Sequence, residues 1–120
     1  MANIMIIDDS DAIRMVLKDI LTIGEHVLVS ELPSGIEALG GYIKSKPDII
    51  LLDMAMPKKD GLAVLKEIIS YDSKAKIIMI SASDNQETVK ECLNAGAMAY
   101  ILKPFNFHEV LNIISQVVKS

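Results

Sequence analysis

Five polar residues in this sequence stand where they could do chemistry together, because each closes an apolar run. Asp8 and Asp9 follow Ile4–Ile7, Asp53 follows Ile49–Leu52, Ser81 follows Ile77–Ile80, and Lys103 follows Met98–Leu102. Each has an ordinary explanation when taken alone. Asp9, Ser10 or Asp11 can cap a helix. Asp53 can be a loop acid, Ser81 can serve a turn, and Lys103 can be one more surface lysine. Taken together they say more. Three carboxylates brought to one point raise one another's pKa unless something compensates. A hard divalent cation and the Lys103 ammonium are the two compensators at hand. Mg²⁺ is commonly held by one or two carboxylates, substrate phosphate oxygens and retained waters. Acids, a hydroxyl and a lysine around one point can transfer a phosphoryl group: cation and lysine neutralise the moving oxygens, and one carboxylate is the nucleophile.

That chemistry requires elements that bring the five together. The apolar runs, with His26–Val29 as a further one, are strand-length and rich in β-branched residues. Most are continuous rather than alternating, as in parallel strands covered on both faces. The His26 run is the most polar and reads as an edge strand. Helical stripes lie between the runs. Ile13, Val16, Leu17, Ile20 and Leu21 form one, with Gly24 as its stop. Val64, Leu65, Ile68 and Ile69 form another. Thr88, Val89, Cys92 and Leu93 form a third, with Ser83 and Gln86 as its starting box and Gly96 as its stop. Val110, Leu111, Ile113, Ile114 and Val117 form the last. Ser34–Lys44 is weaker, because Gly40-Gly41 costs about 1 kcal/mol per glycine relative to alanine; a short or irregular helix is expected there. The pattern is (βα)5, an α/β doubly wound parallel sheet with right-handed crossovers. In such sheets ligands bind beyond the carboxyl ends of the strands, which is where all five residues stand.

The bulk numbers fit. A chain of 120 residues with 51% apolar and 23% charged content predicts one domain over 1–120 with one core. A net charge of −4 leaves no basic footprint for nucleic acid or anionic lipid. The single cysteine, Cys92, excludes an intrachain disulfide and a thiolate zinc cluster. No run approaches the roughly 20 apolar residues of a membrane span, and no signal peptide is visible. No membrane insertion and a cytoplasmic location are the expectation.

The sequence resembles the response-regulator receiver family along its whole length. The segments that carry the likeness are Ile6-Ile7-Asp8-Asp9-Ser10, Leu52-Asp53-Met54 with Met56-Pro57 and Asp60-Gly61, Ser81-Ala82, and Ala95-Gly96-Ala97 leading to Tyr100-Ile101-Leu102-Lys103-Pro104-Phe105. Each match is weak alone. In order, at strand ends, they are highly specific. The strand order 2-1-3-4-5 is taken from flavodoxin-like sheets, a group that includes chemotaxis receivers, rather than deduced.

The resemblance implies a set of roles. Asp53 is the phosphoacceptor. Asp9 ligates Mg²⁺ (or Mn²⁺) directly, Asp8 acts on it through water, and Asp53 and the backbone carbonyl of Ala55 complete the protein ligands. Ser81 and Lys103 bind the phosphoryl group. Ser81 and Tyr100 form a switch read out on the face made by the fourth helix, fifth strand and fifth helix. Pro57 and Gly61 are structural, and the Lys103-Pro104 bond is expected to be cis. Such a protein catalyses only its own phosphorylation and dephosphorylation. Its partners are a histidine kinase or phosphotransfer protein and a downstream effector protein, with no direct binding of nucleic acid. A start at Met1-Ala2-Asn3 favours a stand-alone regulator of chemotaxis or relay type; a receiver trimmed from a longer regulator or hybrid kinase stays open.

Other readings use the same residues. Asp9-Ser10-Asp11 is a D-x-D of the kind found in haloacid-dehalogenase-like phosphatases, but that reading idles Asp53 and lacks a late acidic pair. A flavin phosphate wants a loop of amides and hydroxyls, and the acidic loop here repels it. A receiver that serves only as an interaction module is a further alternative. His26 and His108 lack metal-ligand spacing and read as surface or edge residues.

Overall fold

The computed structural model describes all 120 residues. Five strands alternate with five helices: β1 (Asn3–Ile7), α1 (Asp11–Ile23), β2 (Val27–Leu32), α2 (Ala38–Ser45), β3 (Ile49–Asp53), α3 (Gly61–Tyr71), β4 (Ile77–Ser81), α4 (Gln86–Asn94), β5 (Ala99–Leu102) and α5 (Phe107–Val118). The strands form one parallel sheet in the order β2-β1-β3-β4-β5. β1 and β3 are neighbours, so the ends carrying Asp8-Asp9 and Asp53 lie side by side.

The pleat explains why the strands are apolar throughout. Successive side chains point to opposite faces, and both faces are covered. Ile4, Ile6, Ile49, Leu51, Ile78, Ile80 and Ile101 pack with Leu17, Ile20 and Leu21 of α1 and Val110, Ile114 and Val117 of α5. Met5, Ile7, Ile50, Leu52, Ile77 and Met79 pack with Ala38 of α2, Val64, Leu65 and Ile68 of α3, and Cys92 of α4. Each fully buried aliphatic side chain contributes about 1.5–3 kcal/mol. That is enough for this two-sided core to hold the polar strand ends rigidly.

Three local features differ from expectation. β2 runs to Leu32, not Val29, because its pairing with β1 continues to Ile7↔Leu32 past a bulge. The polar Ser30 and Glu31 are tolerated on this edge strand. α4 is capped by Asn85, whose Oδ1 accepts from the N–H groups of Glu87 and Thr88. Ser83 is spent in the preceding loop instead, accepting from the Asn85 N–H. α1 does end at Gly24, but Gly24 has a right-handed φ of −82° and it is Glu25 that takes φ 61°. Gly24 is small for another reason: a Cβ there would meet Leu111 of α5 at 2.4 Å.

Candidate functional site

The site sits at the carboxyl edge of the sheet. Asp8 leaves β1 with 1% exposure, its N–H donating to Leu32 O (3.1 Å) and its Oδ1 accepting from the Ser10 N–H (2.9 Å). Asp53 ends β3 with 3% exposure. Asp9 is exposed at the mouth. Ligand oxygens of Asp8, Asp9 and Asp53 all lie within 4.8 Å of one another. Lys103 reaches in from the end of β5, its Nζ 3.1 Å from Asp53 Oδ1 and 3.5 Å from Asp8 Oδ2.

The electrostatics follow from crowding. Burial, and next the charge on Asp8, push the Asp53 carboxyl up to about 6, while Lys103 pulls the other way. Asp8 Oδ2 is buried with no hydrogen-bond partner. A buried carboxylate oxygen without a hydrogen bond is costly. The donor set is all oxygen, and Asp8 Oδ2 accepts no hydrogen bond, its counter-charge being the Lys103 ammonium at 3.5 Å. That suits a hard divalent cation such as Mg²⁺ and not a soft metal.

The rest of the frame is built from short contacts. Gly61 opens α3 against the end of β3, its N–H donating to Met54 O at 2.8 Å. A Cβ at Gly61 would fall 2.2 Å from Asp53 O and 2.7 Å from Met54 Cα, so only glycine lets the helix start this close to the acid. Ala55 is exposed in the same loop, and Pro57 O accepts from the Lys59 N–H. The Lys103-Pro104 peptide is cis.

Ser81 is 3% exposed, and its Oγ accepts from the Ser83 N–H at 3.0 Å. Tyr100 is half-buried against α4's side of the sheet, and its hydroxyl donates to Ser83 O at 2.9 Å. Ser81 and Tyr100 therefore grip one loop from two strands. Two residues escaped the sequence reading. Arg14 and Glu31 form an ion pair beside the Asp8 backbone, and only the spacing of Arg14 three residues after Asp11 hinted at it.

A family model described as "Response regulator receiver domain" matches residues 4–115. The chain belongs to the response regulator receiver family. Curated relatives agree. The chain is 40% identical over 117 residues to chemotaxis protein CheY of Thermotoga maritima, covering 98% of each chain. It is 39% identical over 116 residues to CheY of Bacillus subtilis, covering 97% of each. Among solved structures, a CheX–CheY–BeF3–Mg²⁺ complex from Borrelia burgdorferi superposes with a TM-score of 0.93 at 36% identity, covering 96% of this chain and 87% of that one. The (βα)5 sheet anticipated from the strand pattern and the receiver family anticipated from the resemblance are thus those of this chain, and its signalling class is that of a response regulator. None of its helices is long and apolar enough to cross a membrane.

Proposed function

We propose that this receiver accepts a phosphoryl group on Asp53 in a Mg²⁺- or Mn²⁺-dependent reaction, from a histidine kinase, a phosphotransfer protein or a small phosphodonor. One observation carries the reading: a buried carboxylate at the end of β3 stands between an acidic pair and a lysine it already ion-pairs with. An Asp53 carboxylate oxygen attacks phosphorus, the bond from phosphorus to the donor's leaving atom breaks, and an acyl phosphate forms. Asp8, Asp9, Asp53 and the Ala55 carbonyl are the groups that would hold the cation. When bound, the cation offsets the clustered negative charge and withdraws charge from the phosphoryl oxygens. Lys103 exchanges its carboxylate partners for a phosphoryl oxygen. Ser81 turns its hydroxyl to donate to another, a charge-assisted bond stronger than the neutral one its Oγ accepts from the Ser83 N–H.

Ser81 holds the peptide before Ser83 and Tyr100 the peptide after it, so both are tied to one residue of the loop and movement of one is felt by the other. This supports a two-state switch in which phosphorylation biases the α4-β5-α5 surface toward binding an effector protein. The similarity to CheY proteins, one of them solved with CheX, supports a chemotaxis-type or relay-type output in the cytoplasm, with the whole chain as one receiver unit. Turnover kinetics test the reading against a phosphatase. A receiver is labelled once per molecule by acetyl phosphate and then loses the group slowly. Steady, multiple-turnover hydrolysis of a phosphate ester with Asp9 as nucleophile would overturn it.

A further inference from the structure

Arg14, in the first turns of α1, has a side chain only 11% exposed and uses it as a three-way fork. Nη1 donates to the Asp8 carbonyl at 2.6 Å, Nε donates to Glu31 Oε2 on β2 at 2.9 Å, and Nη2 pairs with Asp11. Glu31 is itself held by Lys18 at 3.1 Å. The Asp8 carbonyl belongs to the peptide that joins Asp8 to Asp9. The preceding peptide is held by the bond from the Asp8 N–H to Leu32 O. Both peptide planes flanking Asp8 are therefore pinned, one by β2 and one by a guanidinium that β2 anchors. Those planes fix where the Asp8 and Asp9 carboxylates point.

We infer that Arg14 is a positioning residue for the cation site: anchored on Glu31, it locks the Asp8-Asp9 peptide so that the acid pair is preorganised for a divalent cation. The inference rests on the proposed cation site. A planar fork with several fixed donors can tie a carbonyl and a carboxylate at once, which a lysine ammonium on a flexible stem does poorly. Groups that orient metal ligands from behind typically cost 10–100-fold in metal affinity when removed. Lys18, 40% exposed, touches only the far side of Glu31 and makes no contact with Asp8, so it serves as the internal control.

The test is a Mg²⁺ titration of the purified protein followed by backbone amide NMR, for wild type, Arg14→Met, Arg14→Lys and Lys18→Met. Arg14→Met and Arg14→Lys should each raise the Mg²⁺ Kd about tenfold and shift the Asp9 amide before any metal is added. Lys18→Met should leave both unchanged. If the Arg14 variants lose thermal stability but keep the wild-type Kd and Asp9 shift, Arg14 is merely structural and the inference fails. Should Arg14→Met not fold, Glu31→Ala takes its place: it removes the oxygens that anchor the guanidinium, and a Kd identical to wild type overturns the inference equally. A wild-type protein that ignores millimolar Mg²⁺ sinks the cation site itself, and the role of Arg14 with it.

Discussion

Lys103 Nζ stands 3.1 Å from Asp53 Oδ1, so the end of β5 supplies the counter-charge to the acid that ends β3. The pair does not fully offset burial and the Asp8 charge, which leave the Asp53 carboxyl at about 6 against 3.8 in the unfolded chain. The folded state thus holds this proton more tightly. The stability gained from that is present below about pH 4 and is lost as pH rises through 6. At pH 7.5 without metal, Asp53→Asn should be more stable than wild type by about 1–3 kcal/mol. Lys103→Met should be less stable by about 2 kcal/mol, because it strands two buried carboxylates. Urea denaturation of the three proteins measures both signs.

Divalent cation should narrow the first of those differences. At a Mg²⁺ concentration ten times its Kd, wild type gains about 1.4 kcal/mol, or about 5 °C in Tm. Asp9→Ala should lose most of that gain, since Asp9 is the exposed acid at the mouth and the proposed direct charged ligand. Asp8→Ala should lose less. Thermal melts with and without Mg²⁺ decide this; a wild-type Tm unmoved by the cation contradicts the site.

Two glycines predict opposite outcomes for one substitution. Gly61→Ala drives a Cβ into the Asp53 and Met54 backbone, which cannot step aside. It should cost about 2–3 kcal/mol and reduce labelling of Asp53. At Gly40, inside α2, a Cβ meets nothing within 4 Å. Gly40→Ala should stabilise by about 0.5–1 kcal/mol through helix propensity. Chemical denaturation of the two variants gives the comparison.

His26 gives a separate acid sensitivity. Its Nδ1 accepts from the Ala2 N–H at 3.0 Å, and burial, then the charged N-terminus, lower its pKa below 6.5. The unfolded chain therefore takes up this proton first as pH falls. The contribution of neutral His26 is complete above pH 6.5 and is lost as pH drops through the lower folded value. Between pH 7.5 and 5.5, wild type should lose more stability than His26→Gln. Equal losses would show that His26 is not the sensor.

The alternation of strands and helices, and the edge that carries the candidate site, were legible because continuous apolar runs are each ended by a polar residue; the strand order was taken from flavodoxin-like sheets and agrees with the order observed. Asp53 stood out as the lone acid closing a wholly apolar strand. What stayed hidden depended on tertiary contact. The polar end of β2 forms because β1 offers partners as far as Leu32, and Glu31 is compensated by Arg14 from a different element. Ser83 and Asn85 were both eligible caps for α4, and only the loop geometry assigns Ser83 to Asn85 and Asn85 to the helix. The crowding at Gly61 and the grip of Arg14 on the Asp8 carbonyl need coordinates, since neither leaves a periodic mark in the chain.

The central claim is that Asp53 is the phosphoacceptor. Intact-protein mass spectrometry after incubation with acetyl phosphate and Mg²⁺ tests it most directly. Wild type should gain one hydroxylamine-sensitive phosphoryl group, with none on Asp53→Asn and none when the cation is chelated. Full labelling of Asp53→Asn, or a wild-type protein that stays unmodified while Mg²⁺ is bound, would contradict the account.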